Sequence, residues 1–304
     1  MKEIYYKVAR HLYLIRFADD VNDETLLDSS EPFRMPEGFV PDGTEPLAFT
    51  LTVDAEWRPA KKGDEIGQFD CGGNNHGVYQ LEDGSYQILV SDVEGRQCSL
   101  LQATPDFKEG TVTLNGNFLM RHFGLNNSLM MMYAFATVDK QTVLMHASVV
   151  RKDGVGYLCL GVSGTGKSTH TSNWLKYIEG TDLMNDDNPV VRITDDGIVR
   201  VFGSPWSGKT PCYRNVEAPV GGFLQLKQAP FNKIRRQETI EAFASLLPSC
   251  SVMKWDARDY TGTCDTVAAI MERVPTYFME NLPNEDAVRM SYAAMHLKQI
   301  DTVQ

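Results

Sequence analysis

The stretch Gly161-Val162-Ser163-Gly164-Thr165-Gly166-Lys167-Ser168 constrains this chain most, because it matches G-x-x-x-x-G-K-[S/T] at every fixed position. Before it, Gly156-Tyr157-Leu158-Cys159-Leu160 reads as a short buried strand. After it, Trp174, Leu175 and Ile178 are spaced to pack on one side of a helix. Strand, glycine loop and helix together make a phosphate cradle. Glycines let successive backbone N–H groups turn toward phosphate oxygens, and the helix start adds partial positive charge. In such a cradle Gly161, Ser163, Gly164, Thr165, Gly166, Lys167, Ser168 and Thr169 line a nucleotide's phosphates. Lys167 reaches the β- and γ-phosphates, and Ser168 places its hydroxyl on Mg²⁺. The plainer reading is a glycine-rich turn at a helix start; the strand before and the helix after favour the cradle.

A length of 304 residues allows one large domain or two of ordinary size. Hydrophobic residues at 42% and charged residues at 23% match a soluble globular protein. Forty acidic against 29 basic residues leave a net charge of −11, which argues against general affinity for nucleic acid or for an anionic membrane. The six cysteines, Cys71, Cys98, Cys159, Cys212, Cys250 and Cys264, show no C-x-x-C pair. The start, Met1-Lys2-Glu3-Ile4-Tyr5-Tyr6-Lys7, has no apolar leader, and no run reaches the length of a membrane span. Free thiols in a reducing cytoplasm are the expectation.

Residues 1–110 read as a β-rich N-terminal domain, with strands expected over 4–8, 12–17, 47–53, 78–81, 86–90, 99–103 and 111–114. Residues 19–43 and 58–77 read as long connections. Within the second, Asp70, Cys71 and His76 are weak material for a metal site, and the glycine cluster around them reads as a turn. From residue 111 to 304 the character changes to a nucleotide-binding domain with C-terminal helices. Its first helix carries Leu125, Leu129, Met132, Tyr133 and Ala136 at helical spacing. A strand over 142–150, a turn at Lys152-Asp153-Gly154 and a strand over 155–160 then lead into the loop. Further strands are expected over 181–184, 190–193, 198–202 and 222–226. The tail reads as helical over 238–247 and 265–274, with Asn284 capping a last helix.

A phosphate loop also needs an acidic partner for Mg²⁺ and, in a kinase, a base for the acceptor hydroxyl. Asp186 and Asp187 follow a short apolar strand the right way for this; a solvated turn before Pro189 is the plainer reading. The hairpin through Lys152-Asp153-Gly154 places His146 opposite the strand end that delivers the loop, where it meets a phosphate or a metal. Trp206, Lys209 and Arg214 lie on a loop that walls a substrate site and meets phosphoryl charge, or is only a basic surface loop.

Met145-His146-Ala147-Ser148, the glycine loop through Thr169, and Asp186-Asp187 resemble the core of the phosphoenolpyruvate carboxykinase / HPr kinase superfamily, over residues 140–275. The resemblance implies an α/β fold, a phosphate-loop domain of mixed sheet behind a separate N-terminal domain. It implies Asp186 as catalytic acid/base or first metal carboxylate, Asp187 as metal ligand, and His146 as a phosphate or metal contact. Between Glu109 and Met145 stands only Lys140, too close to the histidine strand to match the metal-ligand lysine of carboxykinases. The segments 202–209 and 272–277 look more like HPr-kinase-like proteins often associated with peptide-modification pathways. The expectation is an ATP- and Mg²⁺-dependent phosphotransferase, with Lys167, Asp186 and His146 at the chemistry and a hydroxyl-bearing protein or small molecule as acceptor. A carboxykinase-type enzyme acting on oxaloacetate and a nucleotide-binding regulatory module without turnover are the alternatives. Acceptor identity and self-association stay open.

Overall fold

The computed structural model describes residues 1–18, 21–55, 63–70 and 75–297. The chain divides into two compact units, Met1–Thr137 with Lys254–Asp256, and Val138–Met253 with Ala257–Gln304. Each unit is built on a mixed sheet, so the chain is α/β.

The first unit contains β1 (Lys2–Val8), β2 (His11–Phe17), β3 (Thr50–Asp54), β4 (Asp64–Asp70), β5 (Asn75–Gln80), β6 (Tyr86–Ser91), β7 (Gln97–Ala103) and β8 (Glu109–Leu114). Among the described residues these eight form one sheet, ordered β1-β2-β3-β8-β7-β6-β5-β4. The β2–β3 and β3–β8 pairs are parallel. Helix α1 (Phe118–Ala136) starts where the Asn117 side chain accepts from Met120 N at 3.1 Å. It lies on β6, β7 and β8, with Ser99 Oγ donating to Gly124 O at 3.1 Å. A methyl group on Gly124 would lie 2.9 Å from the Cys98 backbone, so glycine sets how closely helix and strand approach. The change of character read near residue 110 therefore falls inside this unit: β8 completes its sheet and α1 covers it.

The second unit contains β9 (Thr142–Leu144), β10 (Ala147–Lys152), β11 (Val155–Leu160), α2 (Lys167–Tyr177), β12 (Thr181–Asp187), β13 (Val190–Ile193), β14 (Val199–Phe202) and β15 (Glu217–Gln228). It continues with β16 (Lys233–Arg236), α3 (Thr239–Leu246), α4 (Ala257–Met271), β17 (Thr276–Asn281) and α5 (Glu285–Tyr292). Its sheet runs β12-β10-β11-β15-β14-β13-β9, with β17 and then β16 added beside β15. The β11–β15 and β15–β17 pairs are parallel. Alternation along β11 divides the core. Leu158 and Leu160 face a cluster with Leu246, Val267 and Ile270, while Tyr157 and Cys159 face Trp174, Val288 and Met295.

Several expectations change. The strand expected over 142–150 breaks at Met145 and His146, because β9 pairs with β13 whereas β10 pairs with β12. The partner chain passes between those two strands through Asn188 and Pro189, and proline has no N–H to continue a ladder. Met145 N instead donates to Pro189 O at 3.1 Å. The connection expected over 58–77 contains β4 and the start of β5, with 58–62 and 71–74, including Cys71, outside the described residues. The connection over 19–43 contains a 3₁₀ helix, Glu24–Phe33. The tail is not wholly helical, since β17 lies between α4 and α5. The hairpins 190–202 and 147–160 form as read, the second through Asp153 and Gly154 with φ of +50° and +79°. The described cysteines are free thiols, and no helix among the described residues is long and apolar enough to cross a membrane.

Candidate functional site

The glycine loop leaves β11 at the middle of the sheet and enters α2. Gly161, Gly164 and Gly166 have φ of +145°, +84° and +100°, values that side-chain-bearing residues adopt only with strain. At Gly161 a methyl group would also lie 2.5 Å from Thr165 Oγ1. Val162 O accepts from Thr165 N at 3.2 Å and from Thr165 Oγ1 at 2.8 Å, closing the loop on itself. Gln228, at the end of β15, donates from Nε2 to Gly164 O at 3.0 Å and ties down its apex. Ser163, Gly164, Ser168 and Thr169 are exposed. The second turn of α2 is anchored where Thr171 Oγ1 lies 2.8 Å from Ser148 Oγ on β10.

Register brings the other groups to this loop. β10 lies between β11 and β12, with Ala147 opposite Leu160 on one side and Asp187 on the other. His146, one residue before Ala147, therefore stands at the level of the loop and of the acidic pair. Its Nδ1 is 3.0 Å from Asp187 Oδ1, and its Nε2 is 2.8 Å from Lys167 Nζ. An ammonium only donates, so Nε2 accepts from Lys167 and Nδ1–H donates to Asp187. Lys167 also donates to Gly161 O at 2.8 Å. Ser168 Oγ donates to Asp186 Oδ1 at 2.9 Å, and Asn188 Nδ2 donates to Asp187 Oδ2 at 2.7 Å. Two hydrogen-bonded sets thus stand side by side, Lys167–His146–Asp187 and Ser168–Asp186, joined through the adjacent backbone of Lys167 and Ser168 and of Asp186 and Asp187. Burial pushes the Lys167 ammonium below its ordinary pKa, against the opposing pull of Asp187 and Asp186.

The loop carrying Trp206 closes the far side with its backbone. Gly208 N donates to Asp186 O at 2.6 Å, Ser207 Oγ donates to the same oxygen at 3.2 Å, and Asn188 N donates to Trp206 O at 3.3 Å. A Cβ on Gly208 would stand 3.2 Å from Asp187 Cβ, so this position admits little else. Trp206 itself is buried, at 6% exposure. Lys209 is exposed. Arg214 is placed elsewhere: with Arg151 it binds Asp182, at 2.7 Å from Oδ2. Burial pushes Asp182 up, but hydrogen bonds from the two arginines outweigh it and hold the carboxyl below its usual value. Asp182 lies four residues before Asp186 on β12, about 13 Å along the strand. Ser207, Gly208, Asn188 and Gln228 were missed from sequence, since small polar residues in loops carry no periodic signal.

Among the described residues no group of three or more His, Cys, Asp or Glu side chains is placed to hold a metal by itself. The donor set here is one hydroxyl, Ser168 Oγ, and two carboxylates. Such a set suits Mg²⁺, which keeps several waters and is held through one or two carboxylates together with a substrate's phosphates. No family model and no curated protein matches this chain.

Proposed function

We propose that this chain is a magnesium-dependent phosphotransferase that uses ATP or a related nucleoside triphosphate and transfers the γ-phosphoryl to a hydroxyl acceptor. The reading includes a phosphate-loop domain of the phosphoenolpyruvate carboxykinase / HPr kinase type. One observation carries it: the loop serine and a strand-end aspartate share a hydrogen bond, Ser168 Oγ to Asp186 Oδ1 at 2.9 Å, beside the loop lysine. These oxygens would hold Mg²⁺ against the phosphates. The ion, when bound, neutralises phosphate charge.

The chain's own groups then divide the work. Lys167 would turn its ammonium from Gly161 O and His146 to the phosphate oxygens, where charge-assisted bonds are stronger. That exchange leaves His146 Nε2 open. With Nδ1–H donating to Asp187, the imidazole is oriented as a proton acceptor, and the acceptor hydroxyl's proton would pass to Nε2. This division takes Asp186 as the metal carboxylate, one of the two roles the resemblance implies for it, and gives Asp187 the orientation of the proton acceptor in place of the metal-ligand role expected there. The test is ATP turnover with magnesium against a panel of hydroxyl-bearing peptides and small molecules. The proposal expects product carrying the γ-phosphoryl with at least one acceptor and none after His146→Ala. Turnover that is unchanged in His146→Ala would contradict the assigned role.

A further inference from the structure

The parallel strands β11, β15 and β17 run out at one edge of the second sheet, the edge at which ligands of such sheets settle. The glycine loop follows β11. The turn Ala229-Pro230-Phe231-Asn232 follows β15 and crosses the end of β17 to reach β16. Leu282, Pro283 and Asn284 follow β17.

The groups that would hold magnesium and the γ-phosphoryl lie on the other side of β11. Asp186 and Asp187 end β12, and His146 precedes β10, in a sheet ordered β12-β10-β11-β15. A triphosphate lying over the loop with its γ end there directs its nucleoside the opposite way, toward β15 and β17. Apolar side chains stand open to solvent on that side. Phe231 is 49% exposed and Leu282 37%, and Val162, in the glycine loop itself, is 75% exposed. One exposed apolar side chain is ordinary. Three at the sheet edge that bears a phosphate loop suit a flat, weakly polar ring.

The turn that carries Phe231 is held in place. Ala229 N donates to Asn281 O at 3.1 Å, and Leu282 N donates to Asn232 Oδ1 at 2.8 Å. Asn232 Nδ2 donates to Asn284 Oδ1 at 3.0 Å, and Gln228 Nε2 donates to Gly164 O at 3.0 Å. The turn is therefore tied both to the end of β17 and to the apex of the phosphate loop. It passes two strand spacings from β11, about 10 Å, within reach of a base whose phosphates lie on the loop. The amides of Gln228, Asn232 and Asn284 are engaged in holding this frame. What the turn offers a base is thus a ring face and not a set of side-chain donors to read its edge.

We propose that Phe231 is the platform on which the nucleobase stacks, so that the site takes purine nucleoside triphosphates as a class, without choosing adenine over guanine. The assignment rests on the proposed nucleotide site. Two fused rings cover more of a phenyl face than one, so purines bind more tightly than pyrimidines.

The test is calorimetric titration of the full chain, with magnesium, using ATP, GTP, UTP and inorganic tripolyphosphate. The wild type is expected to bind ATP and GTP within about fivefold of each other, and UTP more weakly than either. Phe231→Ala should weaken ATP and GTP by about tenfold, the usual contribution of a base stacked on an aromatic ring, and leave tripolyphosphate unchanged. Phe231→Trp should keep the purine affinity. A role limited to holding the turn would instead weaken tripolyphosphate as well, through the contact of Gln228 with Gly164. That result, equal ATP affinity in wild type and Phe231→Ala, or a larger preference between ATP and GTP would overturn the proposal and leave the phosphate site standing. Absence of saturable binding of both ATP and tripolyphosphate in the wild type would overturn the nucleotide site itself, and this proposal with it.

Discussion

At the residue scale the informative contrast is between two adjacent carboxylates. Asp186 is buried and accepts from Ser168 Oγ, whereas Asp187 pairs with His146 and Asn188. Asp186→Asn is therefore expected to weaken the magnesium dependence of nucleotide binding. Asp187→Asn is expected to leave that dependence intact and to slow transfer by about 10²-fold or more, the contribution of an oriented proton acceptor. Binding titrations across magnesium concentrations, with single-turnover transfer on each variant, check both. Gly161 gives a third outcome. At φ of +145°, with a Cβ placed 2.5 Å from Thr165 Oγ1, Gly161→Ala should distort the loop and lower nucleotide affinity more than Gly164→Ala, where a Cβ meets nothing within 4 Å. Lys167, Ser168 and the acidic pair were legible in the sequence because a fixed spacing encodes the loop and a strand end presents the aspartates. Which aspartate meets which partner was not legible, because it depends on the β10–β12 register. Arg214 misled for a related reason. A cation near the site in sequence is claimed by Asp182 at the other end of β12.

At the scale of elements, α2 joins the loop to the rest of the second unit through a buried histidine. His170 lies 3.0 Å from Ser291 Oγ on α5, and Trp174 Nε1 donates to both. Burial lowers the His170 pKa from 6.5 to about 4, so it is neutral in the fold. The unfolded chain binds the proton first as the pH falls. Stability from this group is therefore complete above about pH 6.5 and is lost as the pH falls toward 4, by at most about 3 kcal/mol. Urea denaturation at pH 7, 5.5 and 4.5 should show this slope in the wild type and a shallower one in His170→Gln. The last helix was readable because a cap and periodicity coincide at Asn284, whose side chain accepts from Ala287 N, whereas the Asn117 cap, accepting from Met120 N, was not read. Asn117→Ala should cost the first unit about 1 kcal/mol. β16 was not readable, because three of its four residues are exposed and so leave no alternating pattern. β17 is a six-residue run between two helical stretches, and its strand identity comes from pairing with β15.

At the scale of the molecule, the α/β class was legible in the sequence, whereas the change of character read near residue 110 falls inside the first compact unit. A Met-rich apolar helix looks the same whichever sheet it covers, and α1 covers the first. The proposed nucleotide site lies wholly within the second unit, among β10, β11, α2 and β12. Bound nucleotide should therefore stabilise that unit by mass action, about 2.7 kcal/mol at a hundredfold excess over the dissociation constant. The most direct test of the account is calorimetric titration of ATP with magnesium into wild type and Lys167→Ala. Lys167 is the cation that the loop turns inward, and a charge-assisted bond to phosphate contributes about 1.5–3 kcal/mol. The account predicts saturable one-to-one binding in the wild type, weakened about tenfold or more in Lys167→Ala and lost on chelating magnesium. Equal affinity in the two proteins, or no saturable binding in the wild type, would contradict it.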